Sequence, residues 1–297
     1  MRLLIAGAQG QLARAMIELA PAAADVTAFA VGRPALDLTA PASVLSALAD
    51  FQPDVIVNAA AYTAVDKAEQ EPQAAMALNA DGPKRLAEAA ARRGAVLIHV
   101  STDCVFDGAK PAPYVEDDAT APLSAYGRSK LAGEEAVRAA AEQHIILRTS
   151  WVFSPYGSNF VQTILTRAAE QDELRVVDDR TGCPTYAPHL ATAILGMARA
   201  VTADRDRAAW GTYHAAGTGA VTWCGFAREI MRQSAARGGP NVPVVPITTA
   251  DHPPVAKRPA NSRLDCSKLE RNFAIALPPW QDGLADCLER LSVTQTS

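Results

Sequence analysis

Short apolar runs alternate with amphipathic stretches through the first half of the chain. The run at 3–6 stops at Gly7, and 11–19 carries helical spacing until Pro21 ends it. A second strand is expected at 26–31. Val44, Leu45 and Leu48 fall on one side of a helix predicted over 41–51. Further strands are expected at 55–57, 96–100 and 145–147. A long alanine-rich helix is expected over 72–93, closed by Gly94, and another over 126–142. Strands that are apolar along their whole length are buried on both faces. Their alternation with helices predicts an α/β fold, a Rossmann-like doubly wound parallel sheet. After about Trp151 the pattern changes. Helices are expected over 159–171 and 188–200, short strands at 174–177 and 212–214, and loop at 238–259, where Pro and Gly are dense. We therefore expect a Rossmann domain over 1–153, with returning segments near 186–216. A smaller, interleaved C-terminal domain would come mainly from 154–297.

Composition narrows the function classes. The chain has 297 residues, 49% of them hydrophobic, and a net charge of -4. Mild acidity argues against nucleic acid as the main partner. No apolar segment approaches the roughly 20 residues of a membrane span, and the N-terminus runs into a strand without a leader pattern. The five cysteines are scattered, which fits reduced thiols in a cytoplasmic protein. The histidines show no ligand spacing, so no catalytic metal is expected; His99 reads as a satisfied core residue. Glu116, Asp117 and Asp118 read as a solvated loop.

The chemistry is expected at the strand ends. Gly7-Ala8-Gln9-Gly10-Gln11-Leu12-Ala13 links the first strand to the first helix. Gly7 permits the turn, Gly10 permits close approach of a pyrophosphate, and the small Ala13 permits close helix packing. The helix start offers free N–H groups to the phosphates. The same pattern also fits an ordinary tight turn. The second strand ends without an acid and is followed by Arg33. That favours NADPH over NADH, because an arginine accommodates a 2′-phosphate. Asp37 and Leu38 are candidate adenine contacts, although Asp37 also suits a turn or cap.

Thr102 follows the fourth strand, and Tyr126 and Lys130 lie four residues apart on one helical face. A cation near a phenol favours the phenolate. The set suits carbonyl reduction: Thr102 holds the carbonyl, Tyr126 protonates its oxygen, and Lys130 tunes the phenol and reaches the nicotinamide ribose. Trp151, at the same sheet edge, offers an aromatic plane to a sugar or nicotinamide, or fills the core. Arg258 and Arg263 are either partners for a diphosphate or surface charges. Asp66-Lys67-Ala68-Glu69 reads as capping charge, with a bracing role the alternative.

Several segments together carry a resemblance. They are the glycine loop at 7–12, Asn58 to Glu69, Ser101 to Gly108, Tyr126 to Glu134, and Arg148 to Phe153. Gly182 to Thr185, Arg258 to Leu264 and Leu277 to Trp280 continue it. In order, and over nearly the whole chain, they resemble the dTDP-4-dehydrorhamnose reductase family of extended short-chain dehydrogenases/reductases. The resemblance implies NAD(P)H-dependent reduction of a dTDP-linked 4-keto-6-deoxy sugar. It implies cofactor contacts from Ala60, Ala61 and Thr63, and sugar contacts from Thr102, Asp103 and Trp151. The chain departs from the family at Ala13, where a glycine is usual, and at Cys104, where an aromatic residue is frequent. Ala15 replaces an acid that some members use at a metal-bridged dimer, so monomer and homodimer both stay open. A related epimerase or dehydratase, and a non-catalytic binding subunit, are the competing readings. A dehydratase would want an acid pair where this chain has Asp103-Cys104.

Overall fold

Leu3, Leu4, Ile5, Val55, Ile56, Val57, Leu97, Ile98, Ile145 and Ile146 are all fully buried, so their strands can only lie inside a layered structure. The computed structural model, which describes residues 1–23, 25–206 and 208–295, places them in one six-stranded sheet. The order across it is Gly211–His214, His144–Thr149, Val96–Thr102, Val55–Asn58, Arg2–Ala6 and Thr27–Val31. Every pairing is parallel, with Ile5 beside Ala30 on one side and Val57 on the other. This is the doubly wound α/β fold expected from the pattern. The chain leaves the first strand in one direction and returns for the third on its other side. Such a reversal opens a crevice at the carboxyl ends of the strands.

Alternate strand residues feed opposite cores. Leu3, Ile5, Val57 and Ile98 pack with Leu12 and Met16 of helix Gln11–Leu19 and with Leu190 and Ile194 of helix Ala187–Ala203. Leu4, Ile56, Leu97 and Ile146 pack on the other face with Val44, Leu48 and Leu86. A third core, with Phe153, Ile164, Leu174, Phe226, Ile230, Trp280 and Leu284, is assembled from later elements. These are the helices Phe160–Glu170, Trp223–Ala235 and Trp280–Gln295, and strands Leu174–Val177 and Val244–Ile247, paired in parallel.

Four expectations change. The helix expected over 72–93 is broken into Pro72–Met76, a π turn at Ala77–Asp81, and Gly82–Arg93. Pro83 has no N–H to continue an α ladder, and Asn79 is drawn aside to Tyr62 and Ser129. The stretch expected as loop holds the strand Val244–Ile247, because its residues pair with Leu174–Val177. The acidic loop is not merely solvated: Glu116 accepts the backbone N–H of His214, and Asp118 accepts the Lys110 ammonium. His99 is only half satisfied, since its Nδ1 meets Asn58 Nδ2 at 3.0 Å while its Nε2 is buried without a partner. Among the described residues no helix is long and apolar enough to cross a membrane.

Candidate active site

The first helix starts where the crevice opens. Gly7 sits at φ +98, and a Cβ there would come within 3.0 Å of the Ala60 backbone. Only glycine supplies both the left-handed turn and that close approach. Its carbonyl accepts the N–H of Gly10 at 2.9 Å, which tightens the loop. Gly10 caps helix Gln11–Leu19 with no side-chain acceptor, and the first turn carries no acid. The leading N–H groups therefore remain available to an external anion, with the helix dipole in its favour. These features fit the phosphates of a dinucleotide.

The second helix of the site is held by contacts that leave no room. Helix Ala125–Ala140 begins at Ser124, whose hydroxyl accepts the Gly127 N–H at 3.1 Å. The Ala125 N–H donates to the Glu69 carboxylate at 2.7 Å, so Glu69 caps a helix other than its own. A Cβ on Gly127 would fall 2.2 Å from the Cys104 carbonyl oxygen, and one on Gly133 would fall 2.0 Å from that of Asn79. The two glycines seat the helix directly on the Thr102–Cys104 segment and on the π turn. Tyr126 and Lys130 are thereby fixed against the end of strand Val96–Thr102.

Lys130 is 2% exposed and donates from Nζ to the Val100 carbonyl at 2.7 Å. Burial brings its pKa down to about 8, against a smaller upward pull from Glu134. Burial first, then the neighbouring Cys104, drives the Tyr126 phenol well above its ordinary value; the Thr102 hydroxyl pulls it back in part. This corrects the expectation that Lys130 depresses the phenol. The ammonium is committed to a backbone carbonyl, and Tyr126 stays firmly protonated. Thr102 donates from Oγ1 to Asp103 Oδ1 at 2.9 Å and accepts the Cys104 N–H at 3.2 Å. Asp103 is nearly buried, which raises its carboxyl, while hydroxyls of Ser262 and Thr102 lower it.

Behind this group lies a buried ion cluster that sequence reasoning missed. Glu134, one turn beyond Lys130, accepts Arg148 Nε at 2.9 Å, Arg148 Nη2 at 2.7 Å, Arg138 at 2.7 Å and Ser101 Oγ at 2.6 Å. Burial pushes its carboxyl up, but the bidentate Arg148 and its other partners overcome this and hold it below the ordinary range. The local signal was Arg148 as a base in the largely apolar strand His144–Thr149, whereas Glu134 sits among other charges in its helix and does not stand out. Their meeting was not legible, because they lie fourteen residues apart on different elements.

A cavity of about 950 Å³ collects most of the sequence candidates. Gly7, Gly10, Gln11, Leu12, Arg33, Asp37, Leu38, Ala60, Ala61 and Thr63 line one part of it. Thr102, Asp103, Tyr126, Lys130 and Trp151 line the rest. Asp37 spends its Oδ1 on the backbone and hydroxyl of Thr39, so the turn reading describes it. Gln11 Oε1 is held by Ser154 and Asn159, which also anchors the next helix. Trp151, at φ +46, lies flat on Trp223 with ring centroids 3.5 Å apart and backs onto Gly182. Arg258 lies outside the cavity lining and pairs with Asp66 at 2.7 Å, so Asp66 braces where capping was expected. Arg263 donates to Asn261 and the Pro111 carbonyl, which makes it a loop brace. Among the described residues no cluster of three or more acidic, His or Cys side chains is arranged to hold a metal.

Comparison with known proteins adds independent findings. The family model described as the RmlD substrate binding domain matches residues 1–293. A dTDP-4-dehydrorhamnose reductase of Sinorhizobium fredii is 49% identical over 282 residues, 95% of each chain. That of Escherichia coli K12 is 42% identical over 262 residues, covering 87% of this chain and 86% of its own. The crystal structure of a dTDP-4-dehydrorhamnose reductase from Clostridium acetobutylicum superposes with a TM-score of 0.91 at 37% identity, over 98% of this chain and 100% of that one. The Bacillus anthracis reductase, solved in complex with NADP, gives a TM-score of 0.87 at 36% identity, over 99% of each.

Proposed function

Because the chain belongs to the dTDP-4-dehydrorhamnose reductase family, we infer that it reduces the 4-keto group of dTDP-4-dehydro-L-rhamnose to give dTDP-L-rhamnose. It is an NADPH-dependent oxidoreductase. The observation that carries this reading is that Thr102, Tyr126 and Lys130 open into the same cavity as the glycine loop. Bound there, NADPH supplies the hydride. Gly7, Gly10 and the start of helix Gln11–Leu19 hold its pyrophosphate, and Ala60, Ala61 and Thr63 line its path. Arg33 stands exposed at the cavity rim, where it suits the 2′-phosphate.

Tyr126 is the general acid. Burial keeps its proton in place at neutral pH, so it enters the reaction in the donating form. As the carbonyl oxygen gains charge it becomes far more basic than a phenolate, and the proton passes from Tyr126 to it. The Lys130 ammonium, one turn away and oriented by the Val100 carbonyl, is placed to bond the nicotinamide ribose. Thr102 and Asp103 position the sugar, and Trp151 covers it. Residues 154–297, apart from the segments that return to the sheet, form the substrate-binding domain. The same reading gives Arg258 a place beside the sugar nucleotide. The need for NADPH and a nucleotide-linked sugar fits a cytoplasmic site of action. The acid pair that a dehydratase would want is absent, since Cys104 follows Asp103.

The test mixes purified protein, NADPH and enzymatically made dTDP-4-dehydro-L-rhamnose and follows absorbance of the reduced cofactor. NADPH consumption is expected. Tyr126→Phe is expected to bind NADPH normally and to turn over about 10²–10⁴-fold more slowly. Intact cofactor binding without consumption by the unaltered protein would end the reductase reading. A near-normal rate in Tyr126→Phe would end the role given to that residue.

A further inference from the structure

Gln11 is the first residue of the helix that starts at the glycine loop, and its side chain is held from 143 residues away. Its Oε1 accepts the Ser154 hydroxyl at 2.7 Å and Asn159 Nδ2 at 3.1 Å. The rest of the network dictates which end of the Gln11 amide is oxygen. Asn159 caps helix Phe160–Glu170 through its Oδ1, which accepts the Gln162 N–H at 3.3 Å. That fixes its Nδ2 on the other side, where it also donates to the Ser154 carbonyl at 2.8 Å. A donor in that place requires an acceptor from Gln11. The Ser154 hydroxyl accepts the Tyr156 N–H at 3.1 Å, so its one proton goes to Gln11 Oε1 or to the Tyr156 carbonyl at 3.0 Å. Gln11 Nε2 is consequently turned away from both residues. It has no partner among the described residues and is not one of the buried polar atoms, and Gln11 lines the cavity.

The segment that holds the amide is itself clasped to the helix. Ser154 is fully buried. Gly157, at φ +62, passes over Gln11, and a Cβ there would lie 3.8 Å from Gln11 Cγ. The Tyr156 hydroxyl donates to Glu18 near the far end of helix Gln11–Leu19, and Arg290 of helix Trp280–Gln295 donates to both. Gly157, Ser158 and Asn159 line the cavity beside Gln11.

We propose that Ser154 and Asn159 are positioning residues for the cofactor: they set the Gln11 amide so that its Nε2 donates to the pyrophosphate held at the glycine loop. The backbone N–H groups of a helix start serve any phosphate. The side-chain donor adds a charge-assisted bond, and its fixed orientation reduces the rotamer freedom lost on binding. The orientation comes from residues that lead into the third core, so the later part of the chain tunes the hold on the cofactor. That the phosphate is NADPH's rests on the cofactor placement proposed above; the orientation of the amide does not.

The experiment measures the NADPH Kd by titration, with a thermal melt as the check on folding. It compares the unaltered chain, Gln11→Met, Ser154→Ala, Asn159→Ser, and each of the last two combined with Gln11→Met. Serine at 159 keeps a helix cap while removing the Nδ2 donor. Gln11→Met is expected to raise the Kd about 10- to 100-fold, the range for a hydrogen bond to a charged group. Ser154→Ala and Asn159→Ser are each expected to raise it about 3- to 10-fold, with the loss in KM for NADPH and not in kcat. With Gln11→Met already present, neither change is expected to raise the Kd further, because no amide is left to orient. Equal losses in both backgrounds would mean general loosening and would overturn the proposal. An unchanged Kd in Gln11→Met, or in both Ser154→Ala and Asn159→Ser, would overturn it too and leave the reductase reading standing. An unaltered chain that binds no NADPH would end the cofactor placement and the proposal together.

Discussion

Lys130 shows how burial and spacing divide the work at a single residue. The four-residue spacing from Tyr126 put both side chains on one face. It could not reveal that the ammonium would bond Val100, or that its pKa would fall to about 8. Because the charged form is the one required, kcat/KM should fall as pH rises through about 8. Lys130→Arg should be slower but should lose that limb, since its guanidinium keeps its charge. A pH–rate profile of both proteins checks this, and a limb that persists in Lys130→Arg belongs to another group. The stability sign runs the same way. The folded value lies below the ordinary lysine value of 10.5, so burial of the charged form costs most below about 8. The unfolded chain holds more protons between the two values, and this site then adds stability as pH rises. Tyr126 teaches the converse. Its sequence neighbour suggested a depressed phenol, and the tertiary surroundings raise it.

At the scale of elements, the helix Ala125–Ala140 is placed by what it lacks. Glycines in a helix cost about 1 kcal/mol each relative to alanine, so Gly127 and Gly133 read locally as weaknesses. Their reason is steric and lies in other elements, the Cys104 carbonyl and the π turn at Asn79. Gly133→Ala should destabilise by about 1–3 kcal/mol through overpacking, despite the better helix propensity. A thermal melt is expected to show a drop of a few degrees or more, with turnover falling further as Lys130 shifts. An unchanged melting temperature would mean that the contact at 2.0 Å relaxes freely. The π turn was equally hidden. Pro83 removes one N–H from the ladder, which the sequence shows, but the pull of Tyr62 and Ser129 on Asn79 that accompanies the break comes from distant residues.

At the scale of the molecule, one sheet carries the crevice, and a third core closes over its carboxyl end. Cofactor binding should therefore stabilise the whole fold. NADPH at a hundred times its Kd is expected to add about 2.7 kcal/mol, seen as a rise in melting temperature of several degrees. Gly7→Ala, which must strain φ +98 and push on Ala60, should lose most of that rise. A full shift in Gly7→Ala would place the cofactor elsewhere. The strands of the central sheet, their parallel sense and the glycine loop were legible in the sequence, because apolar runs and backbone freedom are local properties. The resemblance of whole segments identified the family. The Glu134–Arg148 pair, the seat of the Tyr126 helix and the direction of the phenol's shift were decided only in three dimensions. Each depends on desolvation or on contact between residues distant in the chain, and neither exists until the chain has folded.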